Sequence, residues 1–173
     1  MSDYSAQARN IRLLALDVDG VLTDGRIYYG NDGEELKSFS IKDGLGIKLL
    51  QRDAIEVVII TGRNSTIVAR RAAELGIGEV IQGREDKLLA LQEVCTQRSL
   101  RLDQCAYMGD DLPDLAAVKA VGLGMAPADA VAQLVAAADW VSDYGGGGGA
   151  VRQAAEQLLA WRGSLHTMLG DFD

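Results

Sequence analysis

Thiols, prolines and imidazoles are scarce in this chain: two cysteines, two prolines and one histidine among 173 residues. Cys95 and Cys105 have none of the paired spacing of a zinc site, and two lone thiols point to a reduced, cytoplasmic setting. With 48% apolar residues, so few prolines exclude a disordered chain and leave a folded globular one. His166 lies in a polar stretch far from every motif and is given no role. No apolar run is long enough to cross a bilayer, and no basic segment precedes an apolar one near residue 1. The chain is therefore expected to be unexported and free of the membrane. Positive charge is also short: 17 Lys and Arg against 25 Asp and Glu give a formal net charge of −8. That balance argues against nucleic acid or an anionic membrane as the main partner. An anionic ligand would need local help from a metal, a few placed cations or helix amino termini.

What is present is organised around Leu13-Leu14-Ala15-Leu16-Asp17-Val18-Asp19-Gly20. A short apolar run ending in turn chemistry reads as a strand buried on both faces, and residues i and i+2 of a strand point the same way. Asp17 and Asp19 could thus both reach one centre at the carboxyl edge of a sheet, where open α/β sheets bind ligands. Residues 1–10 are polar and unpatterned and are expected to form a loose arm. Two β-prone runs, 26–29 and 35–41, flank Gly30-Asn31-Asp32-Gly33 and predict a hairpin over 25–42. An isolated hairpin carrying Tyr28, Tyr29 and Phe39 needs a packing partner, and a second subunit suits.

Beyond Asp43 the apolar period lengthens to a helix, and strand and helix then alternate. Strands are predicted over 56–61, 79–82, 104–108, 121–125 and 139–142, and helices to Asp53, over 66–75 and 86–97, after Asp114, over 129–138 and over 150–161. This alternation predicts a single α/β domain, a Rossmann-like parallel sheet with helices on both faces and right-handed crossovers. Residues 163–173 form a tail, and Gly145 to Gly149 leave open a flexible lid or linker. Polar residues gather at strand ends: Asp17 and Asp19, Thr61 and Gly62, Asp110 and Asp111, with Lys87 at a helix start. Oxygen-rich ligation suits magnesium, and a hydroxyl, a backbone N–H and a lysine suit phosphoryl oxygens.

Asp17-x-Asp19-Gly20-x-x-x-Asp24, Thr61-Gly62, Lys87 and Gly109-Asp110-Asp111-x-x-Asp114, in this order, resemble the motif set of the haloacid dehalogenase superfamily of phosphatases, in its cap-less branch. The resemblance implies an Mg2+-dependent phosphatase that forms an aspartyl phosphate. It makes Asp17 the nucleophile and Asp19 the acid, then the base. Asp17, the Asp19 backbone carbonyl and Asp110 would hold the metal. Thr61, Gly62 and Lys87 would hold the phosphoryl group. Asp111 and Asp114 would orient the metal site or cap a helix. Arg63, Arg71, Lys48 and the segment Ser40-Ile41-Lys42-Asp43-Gly44 would bind a sugar acid. The substrate implied is 3-deoxy-D-manno-octulosonate 8-phosphate, in lipopolysaccharide precursor synthesis. The alternatives are a nine-carbon ulosonate 9-phosphate or a non-catalytic tetramerisation module. In the branch, four hairpins meet in a homotetramer and each site is roofed by a neighbour. One departure stands out: Gly148 occupies a place where the branch often has arginine.

Overall fold

The computed structural model describes residues 3–172. Leu13–Leu16 forms β1, and all four of its side chains are fully buried. Leu14 and Leu16 face one apolar cluster while Leu13 and Ala15 face the other, as the two-residue period of a strand requires. Around β1 lie β4 (Glu56–Ile60), β5 (Glu79–Ile81), β6 (Cys105–Met108), β7 (Leu123–Ala126) and β8 (Trp140–Val141), in the order β5-β4-β1-β6-β7-β8. Every pairing in this six-stranded sheet is parallel. Leu16 stands level with Ile59 of β4 and Met108 of β6. Three strands therefore end together, and the residues that follow them share one edge.

The layers are helical on both faces. The first holds α1 (Ser5–Asn10), α2 (Ile41–Arg52), α3 (Thr66–Leu75) and α7 (Ala150–Arg162). The second holds α4 (Lys87–Arg98), α5 (Leu115–Ala120) and α6 (Ala132–Ala137). Helices α2 and α7 approach closely because Gly46 has no side chain; a methyl there would lie 3.0 Å from the Arg152 Cα. Gly76, in the left-handed region at φ 71°, ends α3 as expected.

Four local expectations are corrected. Residues 5–10 are a helix, not a loose arm. Ala8 is buried, the Tyr4 hydroxyl donates to the Asp139 carbonyl at 2.8 Å, and Arg162 donates to the carbonyls of Ala8 and Ile11 at 3.0 Å. The carbonyl ends of a helix too short to hold itself are thus satisfied from α7; residues 1 and 2 of that expected arm lie outside the described residues. The hairpin is shorter than predicted: β2 (Tyr28–Tyr29) pairs with β3 (Glu35–Leu36), and α2 already begins at Ile41 because Ser40 caps it, accepting from the Asp43 N–H. The tail folds back as α8 (Leu165–Leu169), with Leu165, Met168 and Leu169 packed on the core; residue 173 of it lies outside the described residues. Finally, the glycine run is neither lid nor linker. A methyl on Gly146 would meet the Gly20 carbonyl oxygen at 1.9 Å, and the Gly147 N–H donates to the Val21 carbonyl. The run is packed against the loop that carries the first two acids.

Candidate active site

Asp17 leaves β1 directly, its N–H donating to the Met108 carbonyl at 3.1 Å, so its side chain emerges between β4 and β6. One carboxylate oxygen accepts the N–H of Val18 at 2.7 Å; the other pairs with Lys87 Nζ at 2.6 Å. Lys87, the first residue of α4, turns inward and is only 4% exposed. Its ammonium also meets Asp114 Oδ1 at 2.7 Å, where the Tyr107 hydroxyl donates at 2.7 Å. Asp114 Oδ2 accepts the N–H groups of Asp110 (3.1 Å) and Asp111 (3.3 Å). Both oxygens of Asp114 are thus occupied, and this fully buried carboxylate fixes the loop and the lysine rather than standing open to a ligand. Asp111 is exposed, its carboxylate accepting the N–H of Leu112 at the start of the turn Leu112–Asp114.

Asp110 differs from its neighbours: its Oδ1 is buried and has no hydrogen-bond partner. Carboxylate oxygens of Asp17, Asp110 and Asp114 lie within 4.8 Å of one another. Two glycines make this approach possible. Gly20 has φ 93°, and a methyl there would fall 2.0 Å from Asp110 Oδ2; at Gly109 it would fall 2.3 Å from the Asp114 Cβ.

The crowding is visible in the acidities. Burial, with Asp114 nearby, pushes Asp17 up to about 6 against the opposing pull of Lys87. Burial, then Asp17 and Asp114, push Asp110 up to about 7. Burial alone would lower Lys87, but Asp17 and Asp114 outweigh it and hold the ammonium above its ordinary value. Tyr107 is driven well above the usual phenol range by burial and the same carboxylates, so it is a fixed donor. An orphaned buried oxygen, an all-oxygen donor set and two carboxyls held reluctant to ionise by burial and by each other fit a hard divalent cation.

These groups line a cavity of about 290 Å³ with Asp19, Gly25, Thr61, Gly62 and Arg63. Thr61 follows β4 and is 2% exposed, its N–H held by the Ile81 carbonyl at 2.9 Å. Arg63 is part-exposed and pairs with Glu35 Oε2 of β3 at 2.9 Å. Asp19 forms an ion pair with Lys37, which also meets Glu35 Oε1 at 3.4 Å.

Of the residues singled out from sequence, Asp17, Asp19, Thr61, Gly62, Arg63, Lys87, Asp110, Asp111 and Asp114 meet at this cavity. The others lie elsewhere in the chain. Ser40 caps α2, and Ile41 is 85% exposed. Lys42 lines a separate cleft with Tyr144 and Arg152. Asp43 is buried and accepts the Arg152 N–H at 2.7 Å, turned toward the start of α7. Gly44 lies under Arg71, whose guanidinium reaches the Ser40 carbonyl at 3.4 Å and sits 6.0 Å from the centre of the Phe39 ring. Lys48 is exposed between α2 and α3. Sequence reasoning missed Tyr107, Glu35 and Lys37. The available signal for the last two was their two-residue spacing on a β-prone run, which puts both on one side.

The haloacid dehalogenase-like hydrolase family pattern matches residues 72–152. The chain is 47% identical over 169 residues to the 3-deoxy-D-manno-octulosonate 8-phosphate phosphatase KdsC of Escherichia coli (strain K12), covering 98% of this chain and 90% of that one. Among solved structures it is similar to the 3-deoxy-D-manno-octulosonate 8-phosphate phosphatase of Moraxella catarrhalis, solved with magnesium, phosphate and KDO: TM-score 0.98, 42% identity, covering 100% of this chain and 99% of that one. The cobalt-bound deoxy-D-mannose-octulosonate 8-phosphate phosphatase of Haemophilus influenzae matches with TM-score 0.88 and 41% identity, covering 92% and 93%. With motifs, sheet order and relatives in agreement, the chain belongs to the haloacid dehalogenase-like hydrolase family.

Proposed function

We propose that this chain is a magnesium-dependent phosphoric monoester hydrolase that removes phosphate from 3-deoxy-D-manno-octulosonate 8-phosphate. The observation that carries the reading is the buried Asp17, paired with Lys87 and facing the orphaned Asp110, in a chain 47% identical to relatives named for this reaction.

Asp17 attacks phosphorus through a carboxylate oxygen. The bond to the sugar oxygen breaks with its electron pair going to that oxygen, and Asp19 supplies the proton. Asp19, now ionised, takes a proton from a water that attacks phosphorus and frees Asp17 with inorganic phosphate. Thr61, the Gly62 N–H and Lys87 hold the phosphoryl oxygens, so that developing charge meets groups already in place. Asp17, the Asp19 carbonyl and Asp110 would hold magnesium, which when bound neutralises charge shared by nucleophile and phosphate. Arg63 already pairs with a carboxylate, Glu35, and its planar fork suits the carboxylate of a sugar acid.

The hairpin supports assembly. Ile27, Tyr28, Tyr29 and Leu36 are 51%, 40%, 71% and 60% exposed, and copies meeting there would cover them in a homotetramer. Among the described residues no helix is long and apolar enough to cross a membrane, which accords with a cytoplasmic setting.

The test is phosphate release from a panel of sugar phosphates with and without magnesium. The octulosonate 8-phosphate should lead the panel, with no release from Asp17→Asn. Equal rates on all substrates would overturn the specificity, and a faster rate on a nine-carbon ulosonate 9-phosphate would reassign it. Solution mass before and after Tyr29→Ser with Leu36→Ser tests the assembly.

A further inference from the structure

We infer that Lys37, on the hairpin, is a positioning residue for the acid-base carboxyl of Asp19; the inference rests on the phosphatase reading above. Glu35 and Lys37 stand two apart on the run that continues β3, so both face the body of the protein while Leu36 between them faces out. The Lys37 side chain is 2% exposed, an unusual state for a lysine on a projecting element whose neighbours are open. Its ammonium ends on Asp19 Oδ1 and is steadied by Glu35 Oε1 at 3.4 Å. Glu35 in turn holds Arg63 at 2.9 Å.

This arrangement divides the labour of the Asp19 carboxyl. Lys37 occupies Oδ1, so Oδ2 is the oxygen left to face the reacting groups. A carboxyl with one oxygen anchored by a desolvated cation has one orientation to offer, and proton transfer depends on such placement to within fractions of an ångström. In the first step the proton passes from Asp19 Oδ2 to the departing sugar oxygen while the phosphorus–oxygen bond breaks. Lys37 then pairs with the carboxylate that remains.

A purely structural latch between hairpin and body would affect all substrates alike. A positioned acid matters only where the leaving oxygen needs a proton. The experiment is first-turnover release of the leaving group from two substrates, the sugar phosphate and p-nitrophenyl phosphate, in wild type, Lys37→Met, Lys37→Arg, Asp19→Asn and Asp17→Asn. Release in the first turnover reads the attack before water enters. Lys37→Met should slow release of the sugar by about 10²-fold, and should slow nitrophenolate, which leaves without a proton, at least tenfold less. Asp19→Asn should show the same separation, and Lys37→Arg should recover part of the loss. Equal losses on both substrates, or no loss on the sugar phosphate, would overturn the role of Lys37. Normal release by Asp17→Asn would instead overturn the phosphatase reading itself. Should Lys37→Met fail to fold, Lys37→Gln and Lys37→Arg carry the same comparison.

Discussion

The raised pKa values of Asp17 and Asp110 make stability without metal a function of pH, in the direction opposite to ordinary paired carboxylates. A carboxyl whose folded pKa exceeds the unfolded value of 3.8 favours the fold while it holds its proton. The contribution is complete below 3.8 and is lost as pH rises through about 6 for Asp17 and about 7 for Asp110. For Asp17 the displacement corresponds to about 3 kcal/mol. Asp110 is partly open to solvent, and screening there limits its contribution to about 2 kcal/mol. The two share one mutual repulsion, so about 3 kcal/mol in total is expected to disappear between about pH 4 and pH 8. At this chain length that is about 6–12 °C in melting temperature.

Asp110→Asn isolates the effect, because other titrating groups cancel between variant and wild type. Melting temperatures measured by calorimetry in chelator should coincide at low pH, and the variant should become the more stable protein as pH rises. Saturating magnesium should reverse the order. At a concentration about a hundredfold above its dissociation constant, a bound ion adds about 2.7 kcal/mol to wild type. The variant, with a neutral amide in place of the carboxylate and one negative charge fewer, should respond little. Equal magnesium-induced gains in both proteins, or a metal-free variant no more stable than wild type at pH 8, would refute the reasoning.

Three further outcomes follow from the same cluster. Lys87→Met leaves Asp17 and Asp114 buried without their cation and should cost about 3–5 kcal/mol in denaturant unfolding, with activity falling at least about 10²-fold. Tyr107→Phe removes a single donor from Asp114 and should cost about 1 kcal/mol, with activity kept within about tenfold of wild type. Gly20→Ala forces a side chain into the left-handed region and against Asp110 Oδ2; thermal shift should show a loss of about 1–3 kcal/mol together with a weakened magnesium response.

How far the sequence alone carried depended on range. Asp17, Thr61 and Asp110 were legible because each follows an apolar run whose length and end signals define a strand, and parallel strands deliver their ends to one edge. Their meeting follows from topology. Asp43 was misplaced for the opposite reason: its partner, the N–H of Arg152, is 109 residues away, and no local pattern links them. Residues 5–10 looked loose because their helix is completed by Arg162, 154 positions from the Ala8 carbonyl it meets. The glycine run looked mobile because flexibility is what glycine implies in isolation. Here it reports close approach, since only a residue without Cβ lets residues 146 and 147 lie against the loop after Asp19. Lys37 and Glu35 were given no role from the sequence, since their spacing says only that they share a side, and the fold of the hairpin supplies their partners, Asp19 and Arg63.

The charge balance of the cavity floor also fixes the order in which ligands arrive. Asp17, Asp110 and Asp114 oppose the single ammonium of Lys87, so three carboxylates against one cation leave two negative charges once all are ionised. A phosphate monoester is itself an anion, and at separations of about 4 Å in a partly desolvated cavity each uncompensated like-charge contact costs several kcal/mol. Lys87 cannot serve both the carboxylates and the incoming oxygens without help. A divalent cation would cancel the two charges, bring the pKa values of Asp17 and Asp110 down so that the nucleophile is ionised at neutral pH, and return Lys87 to the phosphoryl group. Magnesium is therefore expected to bind free enzyme first. Isothermal titration with inorganic phosphate should give no measurable binding in chelator and clear binding in magnesium. Asp110→Asn, with one charge fewer, should bind phosphate in chelator better than wild type does. Equal phosphate affinity with and without magnesium would mean that the acidic cluster does not set the electrostatics of the site, and the order of binding derived from it would fall.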